Sequence, residues 1–217
     1  MPGEAPVPAA SIKGSIFATA VADVLRLVEE RTIAREQLEV RLEAGDHAYL
    51  EEKLSAGAWY PLDAYGRYLA LLGEVVGRGR DDYFRERGRA NARRLIEAGL
   101  YQQLAFVERW SADIRSSPPD ADGAVASFIK NLKLVISMAA SIYSVGRWDV
   151  EVDPERRTRA RVVITDAEAY TEPMRLAAEG FLNESSRRKR DLYRSERAGP
   201  ARILFRMTQD VAELARG

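Results

Sequence analysis

The segment SAGAWYPLDAYGRYLALL, residues 55–72, places Trp59, Tyr60, Tyr65 and Tyr68 within ten positions around Pro61. Aromatic side chains with one polar tip can grip a small ligand: the ring packs, and the hydroxyl or indole N–H sets orientation. With Phe128 and Trp148 from later segments, Trp59, Tyr60 and Tyr65 make the candidate ligand-binding set. The same residues can simply fill a core, since aromatics at helical spacing bury large areas. The reading is core first and pocket second. Acid–base pairs such as Glu179 with Tyr170, or Asp63 with Arg67, can also be drawn. General acid–base chemistry needs a geometry that spacing alone does not supply, so no catalytic residue is assigned and the chain is read as a non-enzyme.

What is missing from the chain narrows the chemistry further. There is no cysteine, which removes disulfides, thiolate metal sites and cysteine nucleophiles. The single histidine, His47, cannot form a paired-histidine metal site within one chain, and no serine sits in a G-x-S-x-G setting. His47 is read as structural or solvent-facing, and neither a metal nor a cofactor is expected. The 33 basic and 33 acidic residues balance, which argues against gripping phosphate backbones, so no nucleic acid is expected. The longest largely apolar run, LVISMAASIYSVG, is about 13 residues, short of the roughly 20 that span a bilayer. MPGEAPVPAA reads as a flexible tail of residues 1–10 and not as a signal peptide. A cytoplasmic protein is the expectation.

Periodicity places the elements. SIFATAVADVLRLVEE has a helical apolar stripe, and Thr32 with Glu36 reads as the cap of a second helix carrying Ile33, Leu38, Val40 and Leu42. A short helix is expected from Asp46, as N-cap, to Leu54. Pro61 suits the first turn of the next helix, where Leu62, Tyr65, Leu69, Leu72 and Val76 form one stripe. Gly66, Gly73 and Gly77 on that helix suggest the close approach of another backbone. From Arg80 to Ala98 runs an arginine-rich helix, read as a solvated face balanced by Asp81, Asp82, Glu86 and Glu97. A further helix is expected over 100–115, then a break at SSPPDADG and a strongly apolar helix through Phe128 and Ile142.

At SVGRWDVEV the period changes from 3.6 to 2. Trp148, Val150 and Val152 should face one way, with Asp149, Glu151 and Asp153 opposite. RARVVITD completes a hairpin that sets acids across from arginines. A helix from Thr171 to Asn183 precedes a second hairpin turning at Ala198-Gly199-Pro200, and RRKR at 187–190 reads as a charged strand start. The expected fold is therefore α+β: an N-terminal layer of about six helices on a C-terminal four-stranded antiparallel sheet of two hairpins with one intervening helix. Residues 11–217 should form a single domain.

IYSVGRWDVEV, AAEGFL, KGSIF and AWYPLDAY resemble a group of roughly 200-residue proteins that occur as paralogues in myxobacteria. That group is similar to the superfamily of haem-NO-binding sensor domains, vinyl-reductase-type small-ligand domains and TRAPP vesicle-tethering subunits. The resemblance covers about residues 12–208 and implies a helical layer on an antiparallel sheet, an apolar cavity and a habit of pairing with like domains. It carries over no chemical residue: haem-binding members ligate iron through a helical histidine, whereas His47 lies on a short early helix, and the cysteines of the other two groups are missing. The expectation is a non-catalytic small-molecule-binding or sensory domain, with a small apolar ligand and a homodimer. The alternative is a protein–protein interaction or adaptor module that binds a partner protein and no ligand.

Overall fold

A two-stranded ribbon opens the chain in this computed structural model, which describes residues 10–98, 121–186 and 191–214. Ser11–Lys13 (β1) pairs antiparallel with Trp59–Pro61 (β2), setting Ile12 opposite Tyr60. Between them lie α1 (Gly14–Glu29), α2 (Arg35–Arg41) and a 3₁₀ turn (His47–Leu50). The stripe Ile16, Phe17, Ala20, Val24 and Leu27 is what α1 buries.

Thr32 closes α1 instead of opening α2. Arg31 takes a left-handed φ of 55°, its N–H donates to Val28 O at 3.0 Å, and the Thr32 N–H donates to Leu27 O at 2.9 Å. These are the two reversed bonds that satisfy the last carbonyls of a helix. The second helix starts after Ala34, whose N–H donates to Gln37 Oε1 at 2.9 Å. Leu38 is its one buried residue, and Val40, expected on the apolar stripe, is 80% exposed. The expected helix from Asp46 to Leu54 shortens to the 3₁₀ turn.

Helix α3 (Leu62–Val75) follows β2 directly, with Pro61 at its cap position, one residue before the first turn. Its stripe of Leu62, Tyr65, Leu69 and Leu72 is buried, while Val76, past the helix end, is 43% exposed. Helices α4 (Asp81–Glu97) and α5 (Ala121–Ala140) complete the helical layer among the described residues. The helix expected over 100–115, the RRKR run and the tail before residue 10 lie outside the described residues. No helix among the described residues is long and apolar enough to cross a membrane.

The sheet joins β3 (Arg147–Asp153), β4 (Arg156–Thr165), β5 (Tyr193–Gly199) and β6 (Arg202–Met207), all antiparallel, in the order β3-β4-β6-β5. Helix α6 (Glu172–Ser185) lies between the hairpins in sequence and α7 (Val211–Leu214) follows the last strand. The chain is α+β as expected. The buried row runs Val150, Val162, Phe205 across three strands, and the charged face sets Glu151 against Arg161 at 2.7 Å. Alternation fails at one place. A register shift between Val152 and Asp153 leaves Val152 43% exposed and Asp153 buried, where Arg206 Nη1 donates to both its oxygens at 3.0 and 3.1 Å.

The arginine-rich helix is not merely a solvated face. Three pairs within α4 do form, Arg85 with Asp82 at 3.0 Å, Arg89 with Glu86 at 2.6 Å and Arg93 with Glu86 at 4.0 Å. The longer reach is across the fold: Arg85 Nε to Glu179 at 2.8 Å, Arg87 Nη1 to Asp23 at 2.5 Å, Arg89 Nη2 to Asp191 at 2.5 Å and Arg93 Nη1 to Glu184 at 2.9 Å. These pairs flank a backbone contact between α4 and α6. A methyl group on Gly88 would overlap the Ala177 carbonyl, and one on Gly180 the Arg85 carbonyl. Either Gly88→Ala or Gly180→Ala must therefore push the helices apart. The expected loss is about 1–3 kcal/mol or more in urea denaturation, against a change within about 0.5 kcal/mol for Gly45→Ala, where a Cβ meets nothing.

Candidate functional site

The five aromatic candidates do not meet in one pocket. Tyr60 stacks on Phe17 at 4.8 Å and 8°, with Tyr49 and Tyr68 edge-on to Phe17 at 5.0 and 5.7 Å. The Tyr60 hydroxyl accepts from the Ser55 N–H at 2.8 Å. Trp59 lies half-exposed beneath Lys13 Nζ, 4.0 Å from its ring centre. Phe128 is core. Trp148 belongs to a second nest: it stacks on Phe205 at 6.1 Å, and its Nε1–H donates to the Tyr170 hydroxyl at 3.2 Å, which in turn donates to Val145 O at 3.1 Å.

Tyr65 and Trp148 line one cavity among the described residues, together with Ile16, Asn91, Ile142 and Phe181. Its volume is about 30 Å³, enough to hold a water molecule. An organic ligand does not fit there. Lys13 covers one face of the Trp59 ring, Phe17 stacks on Tyr60, and Phe128 packs in the core.

The acid–base pairs also resolve into structure. Glu179 is fully buried and accepts from Arg85, from Arg194 at 3.2 Å and from both the N–H and the hydroxyl of Ser195, at 2.8 and 2.5 Å. Burial raises its pKa, but these donors outweigh burial and hold the carboxyl below its ordinary value. Tyr170 is not among its partners. Asp63 and Arg67 do pair at 3.2 Å, as an exposed contact one turn apart.

A larger cleft lies between α1, α2 and the 3₁₀ turn. Leu25 and Val28 of α1, Leu38 of α2 and Leu50 supply its apolar surfaces; Arg35, Glu39, His47 and Glu51 supply charge and polarity. Its volume is about 160 Å³, close to the roughly 150 Å³ that accommodates benzene. None of those four polar side chains makes a hydrogen bond or ion pair among the described residues. His47, read from sequence as structural or solvent-facing, thus stands at the larger of the two described concavities. The pairs Arg35/Glu39 and His47/Glu51 each span four positions, the one sequence signal available; nothing in the sequence shows that the two segments face each other.

Asp46 holds this cleft in shape. It is 2% exposed and is not a side-chain cap of the His47 turn; it accepts from the Glu43 N–H at 2.9 Å and from Arg67 Nε and Nη2 at 2.6 and 2.9 Å. The Asp46 carbonyl also accepts from the buried Tyr68 hydroxyl at 2.9 Å. Burial opposes the Asp46 charge, yet the Arg67 bonds and the Glu43 N–H win, and the carboxyl sits below its ordinary value.

Among the described residues no group of three His, Asp or Glu side chains could hold a metal ion. A haem does not suit His47: the cleft falls below the roughly 300 Å³ at which drug-sized pockets begin, and a ring of charged side chains would meet the porphyrin.

No protein-family model and no curated protein matches the chain. Two solved structures overlap it. One is a point mutant of the T. tengcongensis H-NOX protein, with a TM-score of 0.43 and 13% identity over 92% of this chain and 100% of that one. The other is the Fe(II) unliganded H-NOX protein from K. algicida, also at 0.43 and 13%, over 90% and 95%. H-NOX proteins are among the groups named from the sequence; the α+β description itself rests on the helices and strands above.

A folded-state pKa below the ordinary value means that Asp46 stabilises the fold while ionised. That contribution is present above the aspartate value of 3.8 and is lost as pH falls through the lower folded value. Asp46→Asn is expected to cost about 1–3 kcal/mol at neutral pH. In urea denaturation the gap from wild type should close as the pH falls below 3.8; a gap that stays constant would show that the charge of Asp46 is not what holds the turn.

Proposed function

We propose that the protein is a non-catalytic domain that binds a small amphipathic molecule in the cleft between α1, α2 and the His47 turn. The observation that carries this reading is the cleft itself: Leu25, Val28, Leu38 and Leu50 beside four polar side chains, Arg35, Glu39, His47 and Glu51, that make no hydrogen bond or ion pair among the described residues. Apolar surface with a few converging polar groups is how small-molecule sites are built. The ligand is of about six to eight heavy atoms, has an apolar body and carries at least one charged group.

The same reading treats residues 11–217 as one α+β domain, since buried residues of α1, α3, α5, the sheet and α7 belong to one core cluster. Trp59, Tyr60, Tyr65, Phe128 and Trp148 serve as the scaffold of the site in this reading, not as its contacts.

Native mass spectrometry of wild type and Glu39→Lys, each incubated with a metabolite extract, tests the site. The expected outcome is a small mass retained by wild type, lost on denaturation and at least tenfold reduced in the variant. Equal retention by both proteins would move the ligand elsewhere. No retained mass in either would leave the adaptor reading, and the same spectrum reads the oligomeric state.

A further inference from the structure

The His47 cleft carries a charge as well as a shape. Two carboxylates, Glu39 and Glu51, stand in its lining against one guanidinium, Arg35. With histidine counted as neutral, the lining is left with one negative charge in excess. Arg35 sits four residues before Glu39 on α2, the spacing at which a helix brings two charges together. Glu51 has only the imidazole of His47 four residues before it. Of the two acids, Glu51 is therefore the one without a cation beside it in the lining.

The surroundings have the same sign. The whole chain is neutral, with 33 basic and 33 acidic residues, yet residues 25–53, which build the cleft, hold eight acids and five bases. Some of these are already paired: Arg26 with Glu30, Arg41 with Glu74, and both Glu43 and Asp46 with Arg67. Setting aside Glu30, Glu43 and Asp46 leaves five acids, and setting aside Arg26 and Arg41 leaves three bases, without an ion pair among the described residues. The excess is negative on either count.

Carboxylates in water need no partner, so this excess matters only once a guest displaces the water. A carboxylate guest would add a further negative charge beside Glu39 and Glu51 with Arg35 alone to answer it, and like charges held close oppose binding. An ammonium carries only donors, and ionised Glu39 and Glu51 offer only acceptors. Charge-assisted hydrogen bonds of that kind are about twice as strong as neutral ones. The hydrocarbon part of the guest has its own surface, half-buried Leu25, Val28 and Leu50 with buried Leu38. A volume of about 160 Å³ leaves room for a short branched body and its charged end.

We propose that the cleft selects small organic cations: a primary amine on a short apolar body, its ammonium set against Glu51 and Glu39 while Leu25, Val28, Leu38 and Leu50 cover the hydrocarbon. The inference rests on the cleft being a ligand site and adds the sign of the ligand's charge. Charge complementarity sets this selection, and the apolar wall supplies affinity that amines, alcohols and acids of one skeleton share.

The test is a titration of the full chain with isopentylamine, isopentanol and isovalerate, which share a branched hydrocarbon skeleton and differ in charge. The methyl resonances of Leu25, Val28, Leu38 and Leu50 report binding, at neutral pH and one fixed ionic strength. The amine should saturate their shifts at a concentration about tenfold below that which isovalerate needs. Glu39→Gln combined with Glu51→Gln should bring the amine to the midpoint of the alcohol; both side chains are exposed, so the doubly substituted chain folds. An amine no tighter than the alcohol, a carboxylate tighter than the amine, or an amine midpoint unmoved by the double substitution would each overturn the cation class while leaving the cleft a ligand site. If none of the three probes moves these methyls, the cation class and the cleft reading fall together.

Discussion

The contact between Gly88 and Gly180 is the constraint on which the rest of the structure depends. With no Cβ on either residue, α4 and α6 approach until each glycine faces the other helix's backbone carbonyl. That closeness lets the arginines of α4 reach acids on and beyond α6: Arg85 to Glu179, Arg93 to Glu184, Arg89 to Asp191. Glu179 then carries the connection onward, accepting from Ser195 and Arg194 of β5. One buried carboxylate thereby ties the helical layer, the intervening helix and the edge strand of the sheet. Such a pair is costly to desolvate and also costly to break, since removing one partner strands the other charge. Its value lies in fixing geometry at a place where apolar packing alone would allow the helices to slide.

The smaller of the two described concavities lies at that seam, with Gly88, Ala177 and Ala178 among its walls. On α4, the same helix that presents Arg85 to α6 turns Arg87 and Asn91 toward α3, where they meet Tyr65 beside the small cavity. Farther out, α3 grips the His47 turn through Arg67 and Asp46, which sets the wall of the larger cleft against α1 and α2. The aromatic residues serve packing between these sites, in one nest around Phe17 and another around Trp148.

Much of the fold was legible because its signals are local. The change of period at Trp148, the turn at Gly199 and the stripe from Leu62 to Leu72 each depend on neighbours a few residues apart. Legibility failed where the deciding partner is distant in sequence. Thr32 carries a good capping side chain, yet the left-handed Arg31 makes it the end of one helix. Asp46 looks like an N-cap and is instead bound by Arg67, 21 residues on. Asp153 alternates as a surface residue until a register shift turns it inward to Arg206. The arginines of α4 read as solvated because the acids they reach belong to α1, α6 and the segment just before β5. The candidate site was the least legible part: aromatic content marked the core, whereas the open cleft is lined by residues of ordinary type from three separate segments.

Because His47 is the only histidine in the chain, its imidazole gives one isolated reporter at the cleft. The most direct measurement is a heteronuclear NMR spectrum of that imidazole, with the methyls of Leu25, Val28, Leu38 and Leu50, during titration with a library of small amphipathic molecules. The account predicts that a binder shifts the imidazole and these methyls together and saturably, while the Trp148 indole stays still. Binders that move Trp148 and leave His47 unchanged would contradict it.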